Sequence, residues 1–386
     1  MNITSLDNTY VAGTYGRFPV ELVHGKGAIV WDTQGKEYID MGTGIAVNIF
    51  GLADDEWICA VNKQLEKLAH TSNLYYSEPC AKLAELLCNK TGMKKVFFSN
   101  SGAEANECAI KTARRYSYLK YGESRNTIVT LKNSFHGRTI TTLSATGQDS
   151  FHTDFGPFTE GFVYAEANNI IQVLDLVKNH NCCAVMMELV QGEGGVMKLD
   201  YAFVKEIYDY CVENDVLFIC DEVQTGNGRT GSLYAFEQFG ITPDIVTTAK
   251  GLGGGLPIGA TMLGARVENT LTPGSHGSTF GGNPVCCAGA YNIISRIDDE
   301  LLKGVTEKSQ YIFNELEKAQ GVKSVSGMGL MIGIETEKDE KDVVTLCREK
   351  GVLVLTAKNK VRLLPPLNIT KEQLKTAVDI IKECVK

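Results

Sequence analysis

Two polar residues near the middle of the chain each follow a short run of apolar residues. Asp221 directly follows Val216–Cys220, and Lys250, which lies 29 positions later (250 − 221), closely follows Ile245–Thr248. A lysine amine can form a Schiff base with an aldehyde, and a carboxylate can keep a pyridine nitrogen protonated so that the ring withdraws electrons. Together they predict a pyridoxal 5'-phosphate (PLP) site in which Lys250 also moves protons as acid and base.

The position of Asp221 at a strand end allows two interpretations. An aspartate there can cap a helix, and for an isolated residue this is about as frequent as a cofactor contact. In open α/β sheets, however, ligands lie beyond the carboxyl ends of the strands, where Asp221 falls. Glu222, Val223 and Gln224 follow it, and the Gln224 amide is placed to reach the phenolic oxygen of a ring held by Asp221. We therefore predict a cofactor contact.

The phosphate of such a cofactor requires fixed hydrogen-bond donors. The small residues of Ser99–Ala105 stand where a helix begins after a strand. Beside Ser101, the free backbone amides of Gly102 and Ala103 can bind an anion at the positive end of the helix dipole. An ordinary Ser-Gly helix cap accounts for the same residues. The segment supports a phosphate site only together with Asp221 and Lys250.

Two arginines are candidates for binding substrate carboxylates. Arg138 lies in a glycine-flanked loop, where it either binds a carboxylate through two hydrogen bonds or forms a surface ion pair. Arg362 stands among apolar residues, which predicts a carboxylate partner from the protein or from a ligand. Glu193 lies between glycines, either as a flexible turn or as a side chain that pairs with an arginine and releases it when a diacid arrives. Phe135 can stack on the pyridine ring, although a core position is the commoner use of such a residue.

The composition excludes several classes of function. Of the 386 residues, 44% are hydrophobic and 22% charged, as in ordinary globular proteins, and the formal charge of −8 argues against nucleic acid or membrane as a partner. The 12 cysteines are scattered, mostly in apolar segments, so we predict reduced core residues and no disulfide scaffold. No Cys/His spacing typical of zinc occurs, so no metal is predicted. The polar start and the absence of an apolar run of about 18 residues predict a cytoplasmic location.

Short apolar runs alternate with helical patterns from residue 94 onward. This alternation predicts an α/β fold with a mostly parallel sheet covered by helices on both faces. The predicted strands are Val96–Ser99, Ile128–Leu131, Phe162–Tyr164, Ala184–Leu189, Val216–Cys220 and Ile245–Thr248.

The two chain ends differ from this middle part. Ala28–Met41 alternates apolar and polar residues and predicts a hairpin. Residues beyond 284 predict helices and short strands, ending in a helix over Lys371–Val385 with a capping box from Thr370 and Gln373. Residues 1–50 and 284–386 are therefore predicted to form a small domain, and residues 51–283 a large PLP-binding domain.

Six short motifs stand in order along the chain. They are Asn73–Tyr76, Ser99–Asn106, Phe135–Thr139, Gln191–Gly194, Asp221–Gly226 and His276–Pro284. Together they resemble the motifs of the class III (ornithine-type) aminotransferases of PLP fold type I, and the resemblance runs from about Tyr15 to Arg362. It implies a large domain with a mostly parallel seven-stranded sheet and a small α+β domain made from both chain ends.

The resemblance also implies roles for individual residues. It implies that Lys250 carries PLP and that a homodimer shares the active site, with Thr279 reaching the phosphate in the neighbouring subunit. Arg138 and Ser278 are expected to hold the distant end of the amino donor, and Glu193 is expected to shield Arg362 until 2-oxoglutarate enters. The remaining cofactor contacts implied are Ser101, Gly102, Ala103, Phe135, Asp221, Glu222, Val223 and Gln224.

Within this family the resemblance favours members that transfer the δ-amino group of N2-acetyl-L-ornithine to 2-oxoglutarate. Close alternatives are ornithine, succinyl-diaminopimelate and 4-aminobutyrate as donors. Different classes are an aminomutase of the same fold, which needs no second substrate, and a dimer without enzymatic activity. One departure from the family pattern is Leu52–Asp55, where a Gly-His followed by His-Pro is usual. It predicts different local packing and leaves the residues with assigned catalytic roles unaltered.

Overall fold

The computed structural model describes residues 3–386, in which strands and helices alternate over most of the chain. Thr43–Ala46 forms a left-handed turn with φ between 47° and 64°. The strands are β1 (Leu22–Lys26), β2 (Ile29–Asp32), β3 (Glu37–Asp40), β4 (Lys95–Ser99), β5 (Thr127–Leu131), β6 (Phe162–Ala165), β7 (Cys182–Met187), β8 (Val190–Gln191), β9 (Met197–Lys198), β10 (Leu217–Asp221), β11 (Ile245–Thr248), β12 (Gly259–Leu263), β13 (Val322–Met328), β14 (Met331–Thr336), β15 (Val352–Leu353), β16 (Leu355–Ala357) and β17 (Lys360–Leu363).

The helices cover the central sheet and complete the chain ends. They are α1 (Ile3–Tyr10), α2 (Asp55–Lys67), α3 (Glu78–Thr91), α4 (Gly102–Tyr121), α5 (Ile140–Ala145), α6 (Ile170–Asn179), α7 (Tyr201–Glu213), α8 (Pro284–Ser295), α9 (Asp299–Leu316), α10 (Glu340–Glu349) and α11 (Lys371–Val385).

Seven strands form the central sheet in the order β4-β12-β11-β10-β7-β5-β6. All pairs are parallel except those of β12, which runs antiparallel to β11 and β4. The innermost strands β7 and β10 are buried along their whole length, which explains their continuous apolar runs. The six predicted strands and the α/β class are confirmed, with shifts of at most two residues. The sequence pattern does not predict β12, because its five residues follow a glycine-rich and proline-containing segment.

The chain ends form two four-stranded sheets, one from strands of both ends and one from C-terminal strands alone. The N-terminal strands β1–β3 pair with β15, and β13, β14, β17 and β16 form a second four-stranded sheet. The predicted hairpin is confirmed as β2 and β3, and the capping box at Thr370 is present. Helix α8 packs against α2 and α3, which lie on the other side of the predicted boundary at residue 283. The division into domains at residues 50 and 283 stays a prediction.

All 12 cysteines are free, and most of them are buried. No helix of the described residues is sufficiently long and apolar to pass through a membrane.

The packing of α7 on the sheet yields a stability prediction. Ile207 is fully buried in α7, whereas Ile171 in α6 is 82% exposed. Ile207→Ala should lower the free energy of unfolding by about 2–5 kcal/mol, because it removes buried methyl groups and leaves a cavity. Ile171→Ala should change it by less than about 0.5 kcal/mol. Urea unfolding of the cofactor-free protein measures both, and equal effects would contradict this core assignment.

Candidate active site

A cavity of about 460 Å³ opens where β10 and β11 end. Its position follows from the sheet, because the carboxyl ends of parallel strands meet at one edge. Asp221 is the last residue of β10, and Lys250 follows β11 by two positions. The cavity contains nine of the predicted site residues: Ser101, Gly102, Ala103, Phe135, Arg138, Asp221, Val223, Gln224 and Lys250.

The Asp221 carboxylate is buried and accepts three hydrogen bonds from the protein. Its Oδ2 atom accepts from Asn106 Nδ2 at 2.8 Å and contacts His136 Nδ1 at 2.7 Å, and its Oδ1 atom accepts from the Val223 amide at 3.0 Å. Since each carboxylate oxygen has two lone pairs, Oδ1 keeps capacity for one further donor. A protonated pyridine nitrogen is a donor of this kind, and it would be charged and therefore favoured by the buried carboxylate.

Asn106 and His136 hold Asp221 in turn. Thr247 Oγ1 donates to Asn106 Oδ1 at 2.7 Å, and Asn106 Nδ2 also donates to the backbone carbonyl of His136 at 2.7 Å. The Nε2 atom of His136 is buried without a partner. The sequence does not single out these three residues, although Asn106 and His136 lie within the motifs Ser99–Asn106 and Phe135–Thr139.

Lys250 begins a short 3-10 turn and has a left-handed backbone with φ of 46°. This conformation is costly for a residue other than glycine and persists only where the surroundings enforce it. Burial lowers the pKa of the Lys250 ammonium, whereas the nearby Glu193 raises it. The net lowering increases the fraction of neutral amine, which is the form that attacks a carbonyl.

The N-terminus of α4 forms the opposite end of the cavity. Ser101 caps this helix, with its side chain accepting a hydrogen bond from the Glu104 amide at 3.2 Å. The amides of Gly102 and Ala103 border the cavity and have no helical partners, since they lie in the first turn. A Cβ atom on Gly102 would lie 2.7 Å from Val223 Cγ1, so only glycine allows this close approach of helix and loop.

Arg138 is held by aromatic rings and forms no ion pair among residues 3–386. Its guanidinium lies 4.0 Å from the centre of the Phe151 ring and 5.5 Å from that of Phe135. Such contacts attract a cation to the ring face without using its N–H groups. The N–H groups of Arg138 therefore stay available for a carboxylate. The contribution of Phe151 depends on tertiary packing, and the sequence analysis did not identify it.

Arg362 is paired inside the protein. Its Nη1 lies 2.6 Å from Glu193 Oε1 and 3.2 Å from Gln224 Oε1, and the side chain is 3% exposed. Gln224 Nε2 also donates to Glu193 Oε1 at 3.4 Å. Burial by itself would raise the pKa of Glu193, but the Arg362 guanidinium holds it below its ordinary value. Glu193 is therefore a carboxylate, and the predicted pairing of these two residues is present.

Glu188, which the sequence analysis missed, borders the same cavity. Its carboxyl group accepts hydrogen bonds from the amides of Phe135 at 2.8 Å and Gly192 at 3.0 Å. It thus fixes the loop that carries Phe135 relative to the loop that carries Glu193. Burial raises the pKa of Glu188 to about 7.

Five predicted residues do not line this cavity: Glu193 and Arg362, which contact its lining residue Gln224, and Glu222, Ser278 and Thr279. The Glu222 side chain points into the interior, where it accepts hydrogen bonds from Thr225 Oγ1 and from the Phe236 amide at 2.8 Å. Ser278 and Thr279 border a separate recess, and Ser278 Oγ accepts a hydrogen bond from Asn100 at 3.1 Å. The Glu222 side chain thus has a structural role, and its cofactor contact stays a prediction. Ser278 and Thr279 do not line the cavity of their own chain, and their roles also stay predictions.

The described residues fit PLP. The cavity has a buried carboxylate acceptor at Asp221, an amine at Lys250 and free amides at the start of α4, which match the ring nitrogen, the aldehyde and the phosphate of that cofactor. Phe135 borders the space between these groups. The Oδ1 atom of Asp221 accepts one hydrogen bond from the protein and can accept a second one from the ring N–H.

Comparison with known proteins points to one family. Residues 10–385 match the family model described as aminotransferase class-III. The acetylornithine aminotransferase of Haemophilus ducreyi is 51% identical over 99% of this chain and 98% of its own length. Among solved structures, the ornithine aminotransferase of Toxoplasma gondii ME49 has a TM-score of 0.95 and 33% identity, covering 99% of this chain and 94% of its own. The N-acetylornithine aminotransferase of Stenotrophomonas maltophilia K279a has a TM-score of 0.86 and 34% identity, covering 99% and 98%.

The buried Glu222 yields a prediction about pH. Burial raises its pKa to about 7 in the folded protein, whereas an unfolded chain releases this proton near 4.5. Between these values the folded state binds more protons, so Glu222 makes stability fall as pH rises. Glu222→Gln should remove this contribution. The free energy of unfolding of the variant minus that of the wild type should therefore increase by up to about 1 kcal/mol per pH unit from pH 5 to 7.

Urea unfolding of the cofactor-free protein at several pH values measures this difference. The exposed Glu213→Gln variant is the control and should follow the wild type. A constant difference between Glu222→Gln and the wild type across this range would contradict the assignment.

Proposed function

The chain belongs to the class-III aminotransferases, which use PLP, and from that premise we propose that its amino donor is N2-acetyl-L-ornithine. The δ-amino group of the donor is transferred to 2-oxoglutarate, giving N-acetyl-L-glutamate 5-semialdehyde and L-glutamate, a step of arginine biosynthesis. The observation that carries this proposal is the contrast between two arginines. Arg138 has free N–H groups, whereas Arg362 is occupied by Glu193.

The cofactor end of the site is the same for both substrates. When bound, PLP supplies an aldehyde that accepts the amino group and a ring that withdraws electrons from the carbon losing its proton. Asp221 would accept a hydrogen bond from the ring nitrogen, and the amides of Gly102 and Ala103 would bind the phosphate. The Lys250 amine would serve as the acid and base that moves the proton of the substrate carbon.

In the first half of the reaction, Arg138 binds the α-carboxylate of the donor. This carboxylate lies at the opposite end of acetylornithine from the δ-amine, so the δ-amine lies at the cofactor end of the cavity, near Lys250. Because Glu193 pairs with Arg362, Arg138 is the one of these two arginines whose guanidinium is free to bind the α-carboxylate. The position of the free Arg138 charge thereby determines that the δ-amine of the donor is the group that reacts.

In the second half, Glu193 turns away and the α-carboxylate of 2-oxoglutarate binds Arg362. The distal carboxylate then occupies Arg138, and the keto carbon faces Lys250. Gln224 contacts both Arg362 and Glu193, so its amide keeps a partner while the pair opens. Glu193 lies on the connection between the short strands β8 and β9, outside the central sheet, so its side chain can turn without disturbing that sheet.

We further propose a cytoplasmic homodimer with a shared site. Leu74, Tyr75, Tyr76 and Phe280 are exposed by 88%, 71%, 106% and 60%, and large apolar side chains exposed together indicate a protein interface. Thr279 is also exposed and would reach the phosphate in the partner subunit, while Ser278 would help to hold the donor there. The free cysteines suit a reducing compartment.

Ornithine is the second candidate donor, because the fold is also very similar to that of the Toxoplasma ornithine aminotransferase. A panel of amines with 2-oxoglutarate as acceptor separates the candidates. N-acetylornithine should have the highest kcat/KM. A higher value for ornithine, succinyl-diaminopimelate or 4-aminobutyrate would replace the proposed donor, and turnover without 2-oxoglutarate would indicate an aminomutase.

Lys250→Ala tests the role of the lysine. Turnover of acetylornithine with 2-oxoglutarate should fall by roughly a thousandfold or more, since the nucleophile and the proton carrier disappear together. Glutamate formation measures the rate, and the exposed Lys323→Ala variant is the control. A Lys250→Ala rate within tenfold of the control would contradict the assignment.

Arg138→Lys and Arg362→Lys test the division between the two arginines. Each variant keeps a positive charge but loses the planar donor pair that binds a carboxylate. Arg138→Lys should raise the KM for acetylornithine by about tenfold, because one charge-assisted hydrogen bond is lost. Arg362→Lys should leave that KM nearly unchanged and raise the KM for 2-oxoglutarate by a similar factor. If both variants change the donor KM equally, the two arginines do not divide the substrates in this way.

A further inference from the structure

The glycine segment Gly253–Gly255 forms part of the cavity wall next to Lys250. On one side, Gly255 and the following residues 256–258 border the cavity. The Gly253 amide donates a hydrogen bond to the Lys250 carbonyl at 3.1 Å. The position of this segment therefore affects both the shape of the cavity wall and the backbone conformation of Lys250.

The other side of the same segment packs against Trp57 from α2. Trp57 Nε1 donates a hydrogen bond to the Gly253 carbonyl at 3.1 Å. A Cβ atom on Gly254 would lie 3.0 Å from Trp57 Nε1 and 2.9 Å from Ile293 Cδ1. The segment is consequently confined between the indole ring and the cavity.

Trp57 is held by an ion pair in the stretch that departs from the family pattern. Asp54 caps α2 by accepting a hydrogen bond from the Trp57 amide at 2.9 Å. The same carboxylate binds Arg296 through two contacts, at 2.6 and 2.9 Å. The Arg296 guanidinium lies 4.0 Å from the centre of the Phe50 ring. The unusual Leu52–Asp55 sequence thus supplies an anchor for α2.

We propose that Trp57 is a positioning residue that acts on Lys250 through Gly253, with Asp54 and Arg296 as its support. Lys250 has the costly left-handed conformation, which requires enforcement by neighbouring contacts. The hydrogen bonds from Trp57 to Gly253 and from Gly253 to Lys250 provide such contacts. The inference rests on Lys250 as the cofactor lysine and does not depend on the identity of the amino donor.

The chain has a matched control, because its only two tryptophans are Trp31 and Trp57. Trp31 lies on β2 and stacks on His24 at 4.7 Å, outside the cavity lining. Trp57→Phe keeps an aromatic ring but removes the N–H donor. The rate of PLP release from the purified, PLP-loaded protein should rise by roughly fivefold, the effect of one lost hydrogen bond. Trp31→Phe should release PLP at the wild-type rate.

The two half reactions provide a second readout. Because Lys250 serves both, Trp57→Phe should lower the rates with the amino donor and with 2-oxoglutarate by the same factor and leave both KM values nearly unchanged. This differs from the effect expected at Arg362, where the KM for 2-oxoglutarate rises and that for the donor does not. If another amine replaces acetylornithine as donor, the PLP-release result still stands, so the two proposals fail separately.

Arg296→Met is a second variant that leaves the indole in place and removes its support. It should also raise the rate of PLP release, by a smaller factor than Trp57→Phe. The proposal is overturned if Trp57→Phe and Arg296→Met release PLP within twofold of Trp31→Phe. It is also overturned if Trp57→Phe lowers only the thermal stability, because a purely structural role predicts that result.

Discussion

A carboxylate buried at the end of a central strand must be satisfied by donors, and Asp221 obtains them from three separate segments. Asn106 comes from α4, His136 from the loop after β5, and Val223 from the loop after β10. Removing donors would leave an unpaired buried charge, which is strongly unfavourable. The carboxylate therefore ties helix, strands and loops into one arrangement that also orients Phe135 and the start of α4. The remaining lone pair on Oδ1 is what this arrangement offers to a ligand.

Charge organises the rest of the site. The Glu193–Arg362 pair is largely shielded from solvent, so its members attract each other strongly and are costly to separate without a replacement. A second carboxylate from a substrate is such a replacement, and a neutral or cationic group is not. Arg138, in contrast, is held by two aromatic rings and needs no protein carboxylate. In the proposed mechanism, this contrast between the two arginines distinguishes a substrate with one carboxylate from a substrate with two.

The parts of the site that are local in sequence could be predicted, and the parts that depend on tertiary contacts could not. Asp221, Lys250 and the Gly102 helix start follow directly from strand and turn patterns, and the pairing of Arg362 follows from its apolar surroundings. The roles of Asn106, Thr247 and Phe151 arise because distant segments meet, as in the 2.7 Å contact between Thr247 and Asn106. Glu222 adjoins Asp221 in the sequence, and only the folded structure shows that its side chain turns into the interior toward Thr225 and the Phe236 amide. The strand β12 escaped prediction because its pattern is short and follows glycines.

We propose that PLP is attached covalently to the amine of Lys250. Borohydride reduction of the purified protein, followed by proteolysis and mass spectrometry, tests this attachment. We expect a phosphopyridoxyl group on the peptide that contains Lys250, and on no other lysine peptide. Stable labelling of a different lysine, or no labelled peptide from protein that has been saturated with PLP, would show that Lys250 is not the attachment point.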